Sequence, residues 1–231
     1  MVTGPGSVVF ANETAVDTSA TFSASGAYVL RLSASDGLLQ SSADVTVTVN
    51  PAPGTGVFEV RVAASTDDAE EGPTGSIGLT SSDLELVQDA NAQTVGMLFN
   101  CLTIPQVATI LNVFVQFQVD ETSTVATSLS LQGEATDNAI TFAGANSNIS
   151  SRAKTVAAVP WNPPAWSTVG QAGPEQRTPD LAPVVQEIVD RTGWSNGNSL
   201  VIIVTGTGSR VAESFNGAAA AAALLRIEYQ E

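Results

Sequence analysis

The chain is built from short tracts in which large apolar residues fall at every second position. Val113, Val115, Phe117 and Val119 line one face against Asn112, Gln116 and Gln118, and Phe58, Val60 and Val62 stand against Glu59 and Arg61. Leu225, Ile227 and Tyr229 alternate with Arg226 and Glu228, and Leu129 and Leu131 sit between serines. Successive side chains of an extended strand point to opposite faces, so this period places an apolar face on a core and a polar face in water. Leu200 to Val204 is instead an uninterrupted apolar run, which suits a strand covered on both faces. With long polar loops between the tracts, the region 57–231 reads as an antiparallel two-sheet β-jelly-roll.

One segment breaks this period. Leu181, Val184, Val185, Ile188 and Val189 are spaced as on one face of a helix. Pro183 fits only the first turn, so Asp180 is the expected N-cap and Gly193 the expected stop, giving a helix from Asp180 to Arg191. Its carboxylates Glu187 and Asp190 read as a solvated face.

The region 1–50 carries its own strands. Tyr28, Leu30 and Leu32 alternate with Val29, Arg31 and Ser33, and Val45, Val47 and Val49 with Thr46 and Thr48. Ser-Gly and Ser-Asp-Gly turns bound them. Three or four strands are too few to close a sandwich. Asn50 to Gly56, with two prolines and two glycines, reads as a linker over 51–56. The fold class expected overall is all-β: a partial Ig-like sandwich, then a jelly roll with one short helix.

Composition narrows the chemistry. There are 23 acids against 8 bases, for a net charge of −15, and Lys154 is the only lysine. That field repels phosphate backbones and anionic membranes, which argues against nucleic-acid partners. No apolar run of about 18 residues occurs, so no membrane insertion is expected. Met1-Val2-Thr3 lacks the basic start and apolar stretch of a signal peptide, and the start reads as truncated. Histidine is absent, which removes the commonest general base and zinc ligand. The single Cys101 cannot form an internal disulfide, and its neighbours Phe99, Leu102 and Ile104 suggest a buried structural thiol.

Two constellations stand out as candidate sites. Asp67, Asp68, Glu70 and Glu71 form the densest acid cluster in a chain where only 13% of residues are charged. A loop there could fold several oxygens around one hard cation, Ca2+, although acid runs are commonly only solvated. Ser82-Asp83-Leu84-Glu85 and Asp120-Glu121 are further acids able to complete such a site, and Asn216 and Gly217 could add an oxygen. The second constellation is Trp161-Asn162-Pro163-Pro164-Ala165-Trp166. A rigid loop of this kind can hold an indole flat against a sugar ring while Asn162 binds a hydroxyl. The same rings could instead plug the end of the sandwich. Trp194 reads as core. Gly206-Thr207-Gly208-Ser209 lacks the third glycine of a dinucleotide site and the lysine of a P-loop.

Two resemblances follow from these residues. Gly4-Pro5-Gly6-Ser7-Val8-Val9-Phe10, Gly26-Ala27-Tyr28-Val29-Leu30, Ala34-Ser35-Asp36-Gly37 and Val45-Thr46-Val47-Thr48-Val49 resemble the second half of a PKD-type Ig-like domain. The opening strands of that family are missing. Asp180-Leu181, Val185 to Val189, Trp194-Ser195-Asn196-Gly197-Asn198-Ser199-Leu200 and Leu224 to Tyr229 are similar to the DNRLRE-type carbohydrate-binding jelly rolls, although the run Ala218 to Ala223 replaces a usual proline.

These resemblances imply a secreted or surface-exposed bacterial protein. This chain would be a non-catalytic module in it, with a polysaccharide or glycan as partner; the acid cluster, not the resemblances, would add Ca2+ as a structural ion. The alternative is an adhesive or filament subunit that self-associates through strand edges. The absence of histidine and the single lysine argue against a lyase or hydrolase.

Overall fold

The computed structural model describes residues 2–50 and 54–231. Strands make up 41% of the chain and helices 7%, which makes the fold all-β. The chain divides into two compact units, Met1–Gly54 and Thr55–Glu231. Of the expected linker, Pro51, Ala52 and Pro53 lie outside the described residues.

The first unit holds two antiparallel ribbons. β1 (Val8–Phe10) pairs with β2 (Ala20–Phe22), and β3 (Gly26–Ser35) pairs with β4 (Gln40–Val49). The β3–β4 turn is tied by Asp36, whose Oδ1 accepts from the amides of Leu38 and Leu39 at 2.9 and 2.8 Å. Tyr28 is the one fully buried residue among those described in this unit. Its ring meets Phe22 edge-on at 4.8 Å and its hydroxyl donates to the Ala24 carbonyl at 2.7 Å. A core this small is what strands too few to close a sandwich produce.

The second unit is a two-layer sandwich. β5 (Thr55–Arg61) opens it, so Thr55 and Gly56, expected in the linker, belong to a strand and face Gln230 and Tyr229. One layer has six strands in the order β13 (Val159–Trp161), β12 (Ser128–Gly133), β14 (Leu200–Thr207), β9 (Thr94–Phe99), β6 (Asp68–Glu71), β7 (Ile77–Gly78). The facing layer comes in two three-stranded pieces. One is ordered β10 (Thr109–Gln116), β16 (Leu224–Gln230), β5, and the other β11 (Val119–Glu121), β15 (Val211–Glu213), β8 (Asp83–Glu85). The chain changes layer from β5 to β6 and from β9 to β10, so sequence neighbours sit in different sheets, as in a jelly-roll winding.

Alternation decides which residues fill the core. Val113 and Val115 of β10, Leu225 and Ile227 of β16, Met97 and Phe99 of β9, and Leu200, Ile202 and Val204 of β14 pack together between the layers. β14 is covered on its other side too, where Val201 and Ile203 meet Phe142 and Ile149 in a second cluster. Helix α1 (Ala182–Val189) presses Val184, Val185, Ile188 and Val189 onto the main core.

The helix is shorter than its periodicity predicts, with Leu181 as N-cap. Asp180 stands one residue earlier, and its Oδ1 accepts from both Ala182 N–H and Val113 N–H, joining the helix start to β10. Glu187 is not merely solvated, because its carboxylate accepts from the amides of Val156 and Ala157 at 2.8 Å. A second short helix, α2 (Phe215–Ala218), contains Asn216 and Gly217. Its cap Ser214 accepts from Gly217 N–H at 3.1 Å. Cys101 is exposed, with φ at 57°, while Phe99, Leu102 and Ile104 around it are buried. The expectation of a buried thiol fails because the turn after β9 points this one side chain outward.

Candidate metal centre

Three short strands gather carboxylates for the reason that makes them strands. In β8, Leu84 points into the core, so its neighbours Asp83 and Glu85 point away from it. In β15, Ala212 is buried and Glu213 faces outward with Asp83 directly across from it. In β11, Val119 is buried and Asp120 stands on the opposite side, and an irregular register between Val119 and Glu121 brings Glu121 round as well. Carboxylate oxygens of Asp83, Asp120 and Glu121 lie within 4.8 Å of one another, so this triad can hold a metal ion.

β6 supplies a second bank of acids behind the first. Asp68 and Glu70 share one face of that strand. Asp68 Oδ2 accepts from Phe215 N–H and Glu70 Oε1 from Glu85 N–H, each at 2.7 Å. Burial pushes the Asp68 carboxyl up to about 6, against the pull of the Phe215 amide. Burial pushes Glu70 up to about 9, helped by its hydrogen bond with the Glu85 side chain and by the charges of Glu85 and Asp83. Asp120 and Glu213 are also raised, first by burial and then by neighbouring acids, Asp83 for the one and Asp120 for the other. A void of about 10 Å³ lies among Asp68, Glu70, Ser81, Asp83 and Ser214, room for one water or one small ion. Carboxylates brought this close must either hold protons or share a cation.

The sequence places the site in the run Asp67 to Glu71, and the structure divides that run. Asp68–Glu71 is a strand rather than a loop, so alternate side chains leave in opposite directions. Asp67 accepts from Asn100 Nδ2 and Thr141 Oγ1, both at 2.8 Å. Glu71 Oε2 accepts from the amides of Ile149 and Ser150 at 2.8 Å. These two carboxylates anchor the 141–150 segment and are used up there, while Asp68 and Glu70 alone back the triad. Of the secondary acids, Asp83, Asp120 and Glu121 form the triad, and Glu85 lies beside Asp83 on β8. Glu213 is the residue that sequence reasoning missed; the signal was its alternation with buried Ala212.

The tryptophan loop takes the plugging role. Trp161 is 6% exposed and Trp166 fully buried. Trp161 stacks on Phe117 at 5.8 Å, and Trp166 Nε1 donates to the Glu175 carbonyl at 3.3 Å. Arg210 locks the loop from beneath, donating to the carbonyls of Pro163 and Pro164 at 3.0 and 2.8 Å. Asn162 is exposed, but neither indole offers a free face beside it. Trp194 is buried, with Nε1 donating to the Ile104 carbonyl at 3.0 Å.

No known protein family matches this sequence, and no curated protein matches it. Among the described residues no helix is long and apolar enough to cross a membrane.

Proposed function

We propose that this chain is a non-catalytic accessory module of a larger extracellular protein, that its second unit is stiffened by one bound Ca2+, and that it attaches to polysaccharide. The observation that carries the calcium is the convergence of Asp83, Asp120 and Glu121 on one sheet face. Glu85 and Glu213 lie beside them on β8 and β15, and Asp68 and Glu70 sit behind. Calcium takes about six to eight hard oxygen ligands, and extracellular modules bind it in the range of roughly 10⁻⁴–10⁻³ M, a regime that an open three-carboxylate site suits. A set of carboxylates with no imidazole or thiolate suits Ca2+ better than a transition metal. The non-catalytic reading is supported by the absence of histidine and the single lysine. The polysaccharide is supported by the likeness of the last strands to carbohydrate-binding jelly rolls; the buried tryptophans give it no support.

A second reading, an adhesive or filament unit, is favoured by the first unit, where Leu32, Leu38, Leu39 and Val45 are 54–93% exposed on the β3–β4 ribbon. Titration calorimetry at neutral pH tests the main reading. One calcium site is expected in the whole chain and none in Asp83→Asn/Asp120→Asn. No calcium uptake by the unaltered chain overturns it.

A further inference from the structure

The outer face of the β5–β16–β10 sheet carries an ordered set of side chains that the core does not need. The register aligns Asn112, Glu228 and Val57 in one row, Phe114, Arg226 and Glu59 in the next, and Gln116, Leu224 and Arg61 in the third. Phe114 stands at the β10 end of the middle row, with Arg226 at its centre, and an aromatic ring on this outer face is unexpected in a chain where aromatics are 6% of residues. The Arg177 guanidinium lies 4.0 Å from the Phe114 ring centroid and that of Arg226 lies 5.8 Å from it. Arg226 is held by Glu59 at 3.1 Å and by Glu228. Arg177 Nε donates to Gln116 Oε1 at 3.1 Å, and Gln116 Nε2 is itself fixed on the carbonyls of Phe117 and Gly173 at 3.0 Å. Arg177 lines the groove, and among the described residues no carboxylate pairs with it, so its guanidinium keeps donors to spare. The groove between these side chains measures about 290 Å³.

We infer that this groove is the polysaccharide-contacting surface, and that it takes a neutral, hydroxyl-rich chain; the inference rests on the polysaccharide reading above. Each sugar hydroxyl both donates and accepts. The groove offers the matching pair side by side: guanidinium donors on Arg177 and Arg226, and a carboxylate acceptor on Glu59. Arg226 and Glu59 hold one another and Gln116 holds Arg177 before any ligand arrives, so little side-chain freedom is lost on binding. Leu224 and the part-buried ring of Phe114 give the apolar lining that the C–H faces of a pyranose require. Polyanionic chains are disfavoured by the Glu59 carboxylate in the groove and by the net charge of −15.

Affinity electrophoresis of the whole chain, with calcium present, tests this across neutral glucans, mannans and xylans and across polygalacturonate. At least one neutral polysaccharide is expected to retard the chain, and polygalacturonate is not. Arg177→Ala, Arg226→Gln and Phe114→Ala are expected to weaken retardation about tenfold or more, with Asn162→Ala unchanged. Arg177 is exposed, so its variant keeps the fold, and thermal melts confirm this for the other two. If the unaltered chain is retarded but folded Arg177→Ala and Arg226→Gln are retarded equally, the groove assignment is wrong while the polysaccharide reading stands. Stronger retardation by polygalacturonate than by any neutral chain overturns the neutral assignment. If no polysaccharide retards the unaltered chain, the polysaccharide reading itself fails and the groove falls with it.

Discussion

Glu213 on β15 lies directly opposite Asp83 on β8, on the same face of an antiparallel pair. Like charges so placed destabilise a sheet. The strands cannot slip by one residue to separate them, because that would turn Leu84 and Ala212 out of the core. Asp120 adds a third acid that feels both of them. A divalent cation held by Asp83, Asp120 and Glu121 would turn this repulsion into a bond between β8 and β11.

Neutralising one member of the triad should therefore have opposite effects with and without calcium. Asp83→Asn is expected to raise the melting temperature in chelator, by relieving repulsion, and to lower it in excess calcium, by removing a ligand. Differential scanning calorimetry in both buffers checks this. A variant less stable in both shows that Asp83 is only a structural acceptor.

The calcium-free chain should lose stability as pH rises. Asp68 moves from 3.8 to about 6 and Glu70 from 4.5 to about 9 on folding. Both folded values are raised, so the folded state keeps protons that the unfolded chain has released. That contribution is whole below the unfolded values and is lost as pH climbs through about 6 and then about 9. Urea midpoints in chelator should fall between about pH 5 and about pH 9, and calcium should flatten or reverse the trend. A midpoint that rises with pH in chelator contradicts the burial of these two acids.

Asp67 and Glu71 should separate from the metal ligands by experiment. Glu71→Ala leaves the amides of Ile149 and Ser150 without their buried acceptor, at a cost of about 1.5–3 kcal/mol. Calcium affinity, read by calorimetry on the folded variant, should be unchanged. A loss of affinity comparable to that of Asp83→Asn would return Glu71 to the site.

Arg210 should matter for stability and not for binding. It is 2% exposed and donates to the carbonyls of Val125, Pro163 and Pro164. Arg210→Met leaves the Pro163 and Pro164 carbonyls without their donor, while Val125 keeps the Thr127 hydroxyl, and a loss of about 3 kcal/mol is expected in urea unfolding. A red shift in tryptophan emission should accompany it, as the loop over Trp161 and Trp166 loosens. Unaltered emission would show that the indoles are held by Phe117 alone.

The strands were legible because their signal is local. The run Leu200 to Val204 announces a strand covered on both sides, and Val201 and Ile203 do meet Phe142 and Ile149. The site was only partly legible because its assembly is not local. A contiguous run such as Asp67 to Glu71 looks like one ligand cluster, yet a strand sends neighbours to opposite faces and splits it. Asp83, Asp120 and Glu213 look like scattered surface acids until the register between β8, β15 and β11 places them together. The tryptophan loop was ambiguous for another reason. Whether an indole faces water depends on Phe117 and Arg210, which lie far from it in sequence, as well as on the nearer Glu175.

The most direct test is the melting temperature of the whole chain as calcium is added to chelator-treated protein at neutral pH. A ligand at one hundred times its dissociation constant stabilises the folded state by about 2.7 kcal/mol. For a domain of this size that corresponds to a rise of roughly 5–10 °C. The rise should saturate, be absent with magnesium at the same concentration, and vanish in Asp83→Asn/Asp120→Asn. A melting temperature indifferent to calcium, or raised equally in that double variant, contradicts the calcium-stiffened module.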